Sequence, residues 1–195
     1  MKKLFLLVLV AMVSTVSFAQ MSWNVKAGVN MSNVSDMEAD MKFGYQVGVG
    51  MEYAFDDMWS LRPSLMFITK GCKAGEDGYE AKLNPMYLQI PIMAAAGFNI
   101  SDNMRFIVNA GPYVGFGIGG KYSEEFDGEK EEADIFGDEG LDGKRFEFGV
   151  GVGVGLEISK FIVSLDGMFG LTKVFDSEDV SPKNTTIALS VGYKF

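Results

Sequence analysis

Three carboxylates, Glu147, Glu157 and Asp166, share one side of two neighbouring segments in which apolar residues alternate. Two such groups can act as a general acid and a general base when about 5 to 10 Å separates them. Most other routes to catalysis are closed. The chain contains no histidine, so a Ser–His triad or any other histidine base cannot be built. A second chemistry suggested by the residues is phosphate binding. Residues 146–158 read FEFGVGVGVGLEI, with glycine at every second position, and Gly115, Gly117 and Gly120 fit the spacing of a dinucleotide loop. Such a loop must follow a strand and open a helix whose N-terminus faces the phosphates. Here the glycines run into KYSEEFDGEKEE, whose acids repel a phosphate. A third chemistry is cation binding. Segment 121–144 holds ten acids against Lys121, Lys130 and Lys144, but Asp138, Gly140 and Asp142 do not satisfy the calcium-loop spacing. The expectation is a solvated, mobile acidic loop, with a protein or divalent-cation contact as its alternative. No catalytic, cofactor-binding or metal-ligating residue is assigned.

The glycine repeat makes sense as a strand. Period two gives a strand two different faces. One carries Phe146, Phe148, Val150, Val152, Val154, Leu156 and Ile158; the other carries Glu147, four glycines and Glu157. Glycine weakens a strand whose second face is in open water. It suits a face turned into a narrow barrel, where small residues leave room for large polar ones opposite. The same alternation recurs from Trp23 to Met31, Phe43 to Phe55, Trp59 to Phe67, Leu88 to Phe98, Phe106 to Phe116, Phe161 to Phe169 and Ile187 to Phe195. That makes eight strands. Pro63, Pro91 and Pro112 fall inside them, where each deletes a ladder donor, and bulges are the expected remedy.

The connections alternate in length. Tight turns lie at Asp56-Asp57, at 100–103 and at Ser159-Lys160; longer polar stretches span about 33–41, 72–84, 121–144 and 175–184. An even strand number with short turns at one end and long loops at the other describes an all-β, eight-stranded, antiparallel up-and-down transmembrane barrel, its short turns periplasmic and its loops extracellular. The aromatics of the apolar faces sort into two girdles. Trp23, Tyr53, Trp59, Phe98, Phe106 and Phe161 lie towards the turns; Phe43, Tyr45, Phe67, Phe116, Phe146 and Phe169 lie towards the loops. A bilayer with two interfaces favours that sorting, whereas a soluble core has no need of it. Inside, Glu52, Glu147, Glu157 and Asp166 face Lys26, Arg62, Arg105 and Lys194, which reads as a salt-bridged plug rather than an acid–base site.

Export and charge agree with this location. Lys2 and Lys3, an apolar run from Leu4 to Val13, and Ser17-Phe18-Ala19 form a secretory signal peptide over 1–19, leaving a domain at 20–195. Gln20 stands where a lipoprotein needs cysteine. The formal charge is −9, and removing the signal takes away two lysines and no acids, which argues against nucleic acid as a partner. Cys72 has no intramolecular partner and is expected as a free thiol at a strand end.

The chain resembles the Bacteroidetes-type outer-membrane β-barrel domain family that includes PorT-like proteins. The resemblance rests on the signal, on Arg62, Pro63, Ser64 and Leu65, and on Tyr87, Leu88, Gln89, Ile90 and Pro91. It rests also on Gly111-Pro112-Tyr113, on Phe146, Glu147, Phe148 and Gly149, and on the terminal Tyr193, Lys194 and Phe195. Gln89 departs from the acid that the family often has there. The resemblance implies the cell outer membrane, with the lipid bilayer as partner and recognition by the barrel-assembly machinery through the C-terminal Phe195. The expected function is non-enzymatic, through exposed loops: surface interaction, envelope integrity or an accessory role in secretion or assembly. The alternatives are a periplasmic lipocalin-like carrier of a small apolar ligand, or a histidine-free envelope enzyme.

Overall fold

The computed structural model describes residues 21–35, 39–76, 79–126, 129–136, 143–175 and 181–195. The signal peptide assigned to 1–19 lies outside them. Ten strands form one antiparallel sheet: β1 (Met21–Val34), β2 (Asp40–Ala54), β3 (Trp59–Thr69), β4 (Cys72–Glu76), β5 (Tyr79–Ser101), β6 (Met104–Phe126), β7 (Glu129–Asp134), β8 (Phe146–Ile158), β9 (Phe161–Gly170) and β10 (Asn184–Lys194). Eight of them close a ring in the order β1, β2, β3, β5, β6, β8, β9, β10. The first and last strands pair from Asn24 opposite Lys194 to Val34 opposite Asn184. Closure leaves no barrel edge, so the strands can cross hydrocarbon with their backbone groups paired.

The quoted repeat is β8, and its residues alternate strictly between exposed and buried. Val150, Val152 and Val154 are 42%, 50% and 41% exposed although apolar, while Glu147 and Glu157 are buried. The apolar side is therefore the outside. A side chain on Gly149 would meet the Tyr113 ring at 2.5 Å, and one on Gly151 the Met168 sulfur at 2.5 Å. At Gly153 the obstacles are the Asp166 and Asn109 side chains. The glycine stripe is the space that the large lumen residues of neighbouring strands occupy.

Two connections differ from expectation. Segment 72–84 contains β4 and the start of β5, which pair from Cys72 opposite Leu83 to Glu76 opposite Tyr79. Segment 121–144 carries the end of β6 and all of β7, paired from Lys121 opposite Asp134 to Phe126 opposite Glu129. The part of that segment from 121 to 134 is thus a β-hairpin, while Asp138, Gly140 and Asp142 lie outside the described residues. β5 and β6 each run for 23 residues, past the end of the barrel. With β4 and β7 they form a four-stranded sheet standing above it. Cys72 is a buried free thiol at the start of β4.

The prolines are accommodated without bulges. Pro63 pairs with Ile92, Pro91 with Tyr113 and Pro112 with Val150, and the register is the same on either side of each. The bulges lie elsewhere, between Met86 and Tyr87 and between Asn99 and Ser101 along β5. At the tight β2–β3 turn the Asp56 Oδ1 accepts hydrogen bonds from the amides of Trp59 (2.6 Å) and Met58 (2.8 Å). Those two amides hold its carboxyl below the ordinary value.

Arginine at Val152, in the middle of the lipid-facing side of β8, is expected to destabilise the barrel by about 2–4 kcal/mol in bilayer unfolding titrations, whereas Glu131→Arg on the hairpin changes little. Comparable effects at the two positions would overturn the lipid-facing assignment. In the same assay Gly149→Ala should lose about 1–3 kcal/mol, because an aromatic ring cannot step aside. Gly155→Ala, whose added carbon meets nothing closer than 3.1 Å, should lose less.

Candidate functional site

The lumen is filled in layers. Near the short turns Glu52 of β2 receives Arg62 of β3 (2.7 Å), Arg105 of β6 (3.2 Å) and Lys194 of β10 (2.8 Å). Glu157 of β8 shares Arg62 (3.3 Å) and Lys194 (2.5 Å). Arg105 Nη2 also donates to the carbonyls of Asp57 and Met58 at 3.1 and 3.2 Å, tying this plug to the β2–β3 turn. Three cations thus hold two carboxylates across five strands.

Above it lies a small cavity of about 50 Å³, lined among others by Lys26, Gln46, Gln89, Asn109, Asp166 and Ser190. Gln46 Nε2 donates to Ser190 Oγ at 2.7 Å, and Ser164 Oγ donates to Asp166 Oδ2 at 2.8 Å. Lys26 makes no ion pair with a described residue. Gln89 Oε1 and Asn109 Oδ1 have no hydrogen-bond donor among the described residues. The space fits a few water molecules and no larger ligand.

A second charged layer sits towards the loops. Lys70, the residue after β3, is fully buried and donates to both oxygens of Glu147 at 2.8 and 2.9 Å. Tyr113 Oη donates to Glu147 Oε1 at 2.6 Å and Asn184 Nδ2 to Oε2 at 3.2 Å. The ammonium also lies 5.2 and 5.1 Å from the ring centroids of Tyr87 and Tyr113, within reach of both π faces. The mouth itself is closed by an apolar cluster of Val34, Ile68, Cys72, Leu83, Tyr87, Ile135, Phe136 and Val174. Phe136 meets Tyr87 edge to face at 5.9 Å.

The residues expected in one plug therefore separate. Glu52, Glu157, Arg62, Arg105 and Lys194 come together; Glu147 does not join them, and Asp166 and Lys26 make no ion pair there. Glu147 and Glu157 are ten residues apart on one strand, about 33 Å at a strand's rise, far beyond the spacing of an acid–base pair. Lys70 is the residue that sequence pattern misses, since it follows the last alternating position of β3 in the two-residue break, with Gly71, before β4. Ile135 and Phe136, apolar anchors inside an acidic run, join the cluster at the mouth. Among the described residues no three carboxylate or thiol groups converge as a metal site. The charged lumen and apolar exterior are the reverse of a soluble carrier of apolar ligands.

A family model described as an outer membrane protein beta-barrel domain matches residues 18–176. No curated protein matches the chain. Among solved structures it is similar to Ail, the attachment invasion locus protein of Yersinia pestis, at 16% identity and a TM-score of 0.44, over 90% of this chain and 99% of that one. Neisserial surface protein A is 12% identical with a TM-score of 0.49, over 90% and 97%. The outer membrane enzyme PagL is 14% identical with a TM-score of 0.49, over 88% and 98%.

Lys70→Met leaves Glu147 buried with a tyrosine and an asparagine but no cation, and is expected to destabilise the folded barrel by about 3–5 kcal/mol. Lys70→Met/Glu147→Gln should recover a large part of that loss in the same unfolding titration. Equal stability of the single and double variants would mean that the ion pair does not hold this layer.

Proposed function

Since the chain belongs to the outer membrane protein beta-barrel domain family, we propose that it is a non-enzymatic outer-membrane protein that works through the sheet it raises above the barrel. One observation carries the reading: the lumen is blocked at three levels, while β5 and β6 continue outward as an ordered four-stranded platform. A blocked lumen argues against a diffusion pore; with no histidine in the chain, and with the neighbouring carboxylates Glu52 and Glu157 both held by Arg62 and Lys194, no free acid–base pair argues for hydrolysis. A rigid sheet presents a binding surface with less ordering entropy to lose than a mobile loop. Surface interaction thus accounts for the construction better than transport or catalysis, and it is a role in surface interaction, envelope integrity, or secretion and assembly that we assign.

The finer family position follows the motifs around Arg62, Tyr87 and Gly111, which favour the PorT-like members. Gln20 is taken as the first residue of the exported domain. Phe195, 68% exposed at the end of the closing strand, is taken as the contact for the barrel-assembly machinery.

The test replaces residues 123–132 with a two-residue turn, which keeps Ile135 and Phe136 for the cap. Cells carrying this form are expected to retain a heat-modifiable barrel in the outer membrane yet to match the gene deletion in attachment and envelope-challenge assays. Full complementation by the shortened protein would refute a role for the platform.

A further inference from the structure

The two faces of the raised sheet differ in character. One carries Cys72, Leu83 and Tyr122 and packs on the apolar cap. The other continues the lipid-facing side of β5, from Leu88 through Met86 and Asn84 to Lys82, without a bulge on that strand's own side chains. This second face bounds a cleft of about 660 Å³ against the upper end of β2 and Thr69. Its floor is Phe43 and Tyr45, 71% and 56% exposed, and they belong to the loop-side aromatic girdle. Lys42, Lys82, Lys121 and Lys130 line its wall, with Asn84 and Ser123 as further polar groups.

In a chain of net charge −9, four lysines at one place are unexpected. Three glutamates share the cleft, and two of them are already neutralised. Glu80 receives Lys82 at 2.8 Å, and Glu132 receives Lys121 at 2.7 Å and Lys130 at 2.6 Å. One carboxylate between two ammonium groups leaves a positive charge over, Glu125 offsets it, and four lysines against three glutamates leave the cleft a net charge of +1. Lys42 makes no ion pair with a described residue. Lys82 lies six residues beyond Leu88, about 20 Å along the strand and some 14 Å in height once the strand's tilt is allowed for. The cleft thus opens sideways to lipid, at the height of headgroups.

We propose that this cleft binds the phosphorylated headgroup of an outer-leaflet glycolipid, with its lysines on the phosphate and Phe43 and Tyr45 against the sugar and the start of the acyl chains. Lysine ammonium groups bind phosphate as point charges without demanding one geometry, and aromatic rings suit a boundary that is apolar below and wet above. The continuity of cleft and lipid-facing girdle favours a membrane lipid over a soluble anion, which would have no use for the floor.

The test places the protein in phosphatidylcholine nanodiscs with either bis-phosphorylated lipid A or the same lipid dephosphorylated, and counts retained lipid by native mass spectrometry. The phosphorylated form should be retained selectively. Lys82→Ala/Lys121→Ala/Lys130→Ala should reduce that retention about tenfold, while Lys160→Ala at the opposite end does not. Heat-modifiable mobility checks that the variant is folded. If it does not insert, Lys130→Gln, at a side chain already 55% exposed, is measured instead and should lower retention in the same direction. Equal retention of the two lipids, or undiminished retention by the folded variants, would overturn the proposal. Displacement of the lipid by millimolar inorganic phosphate would overturn it too, in favour of a soluble anion.

Discussion

Hydrocarbon offers no partner to a backbone amide or carbonyl, and the rest of the molecule depends on that constraint. It forces the sheet to close, here through β1 on β10. A ring of eight strands encloses only enough room for side chains. Each inward position is then in competition for volume with those on the strands beside it. Gly149 yields to Tyr113, Gly151 to Met168 and Gly153 to Asp166. The repeat that resembles a nucleotide loop is the small half of a packing arrangement whose large half lies on β6 and β9.

The same confinement dictates how charge is handled. A charge in so narrow a lumen must be paired or left to a few waters, since lipid lies one strand away. Each carboxylate of the lower plug therefore has at least two cationic partners, and Glu147 has an ammonium, a hydroxyl and an amide. Pairs of this kind contribute little net stability over apolar packing, but losing one member leaves its partner stranded. Their value lies in fixing register: each links strands that are distant in the chain, such as Lys70 to Glu147 and Glu52 to Lys194. A one-residue slip would turn those groups into lipid.

The ring strands are legible in the sequence because period two has only two phases, and lipid and lumen select opposite chemistry for them. The alternation of β8 survives into the structure residue by residue. Past the barrel that selection lapses. Above Met86 the outer face of β5 meets water and headgroups, so Asn84, Lys82 and Glu80 look like loop residues although they are paired as strand. The acidity of 121–134 hides a hairpin for the same reason. Lys70 is hidden differently: its partner lies 77 residues away, and no local spacing records a contact of that range.

One feature of the sequence connects the inside of the mouth to the cleft outside it. Gly115, Gly117 and Gly120, which imitate a dinucleotide fingerprint, straddle the bulge at which Tyr87 faces Gly117 but Met86 faces Gly119. Ile118 is the extra residue, and the φ of +148° at Gly120 is one that only glycine adopts freely. Below the bulge Tyr113 and Gly117 point inward; by strict alternation Lys121 and Ser123 would follow them into the mouth, and Tyr122 would face out. The additional residue reverses that assignment. Tyr122 turns to the cap formed by Leu83, Tyr87 and Phe136, and Lys121 turns to the outer cleft beside Asn84. A tight register change in β6 thus seals the lumen with an aromatic ring and supplies the exterior with a cation. Gly120 is required there because the backbone of β6 passes close to Asn84 and Pro85, and Gly117 because the Phe136 ring occupies the space a side chain would need.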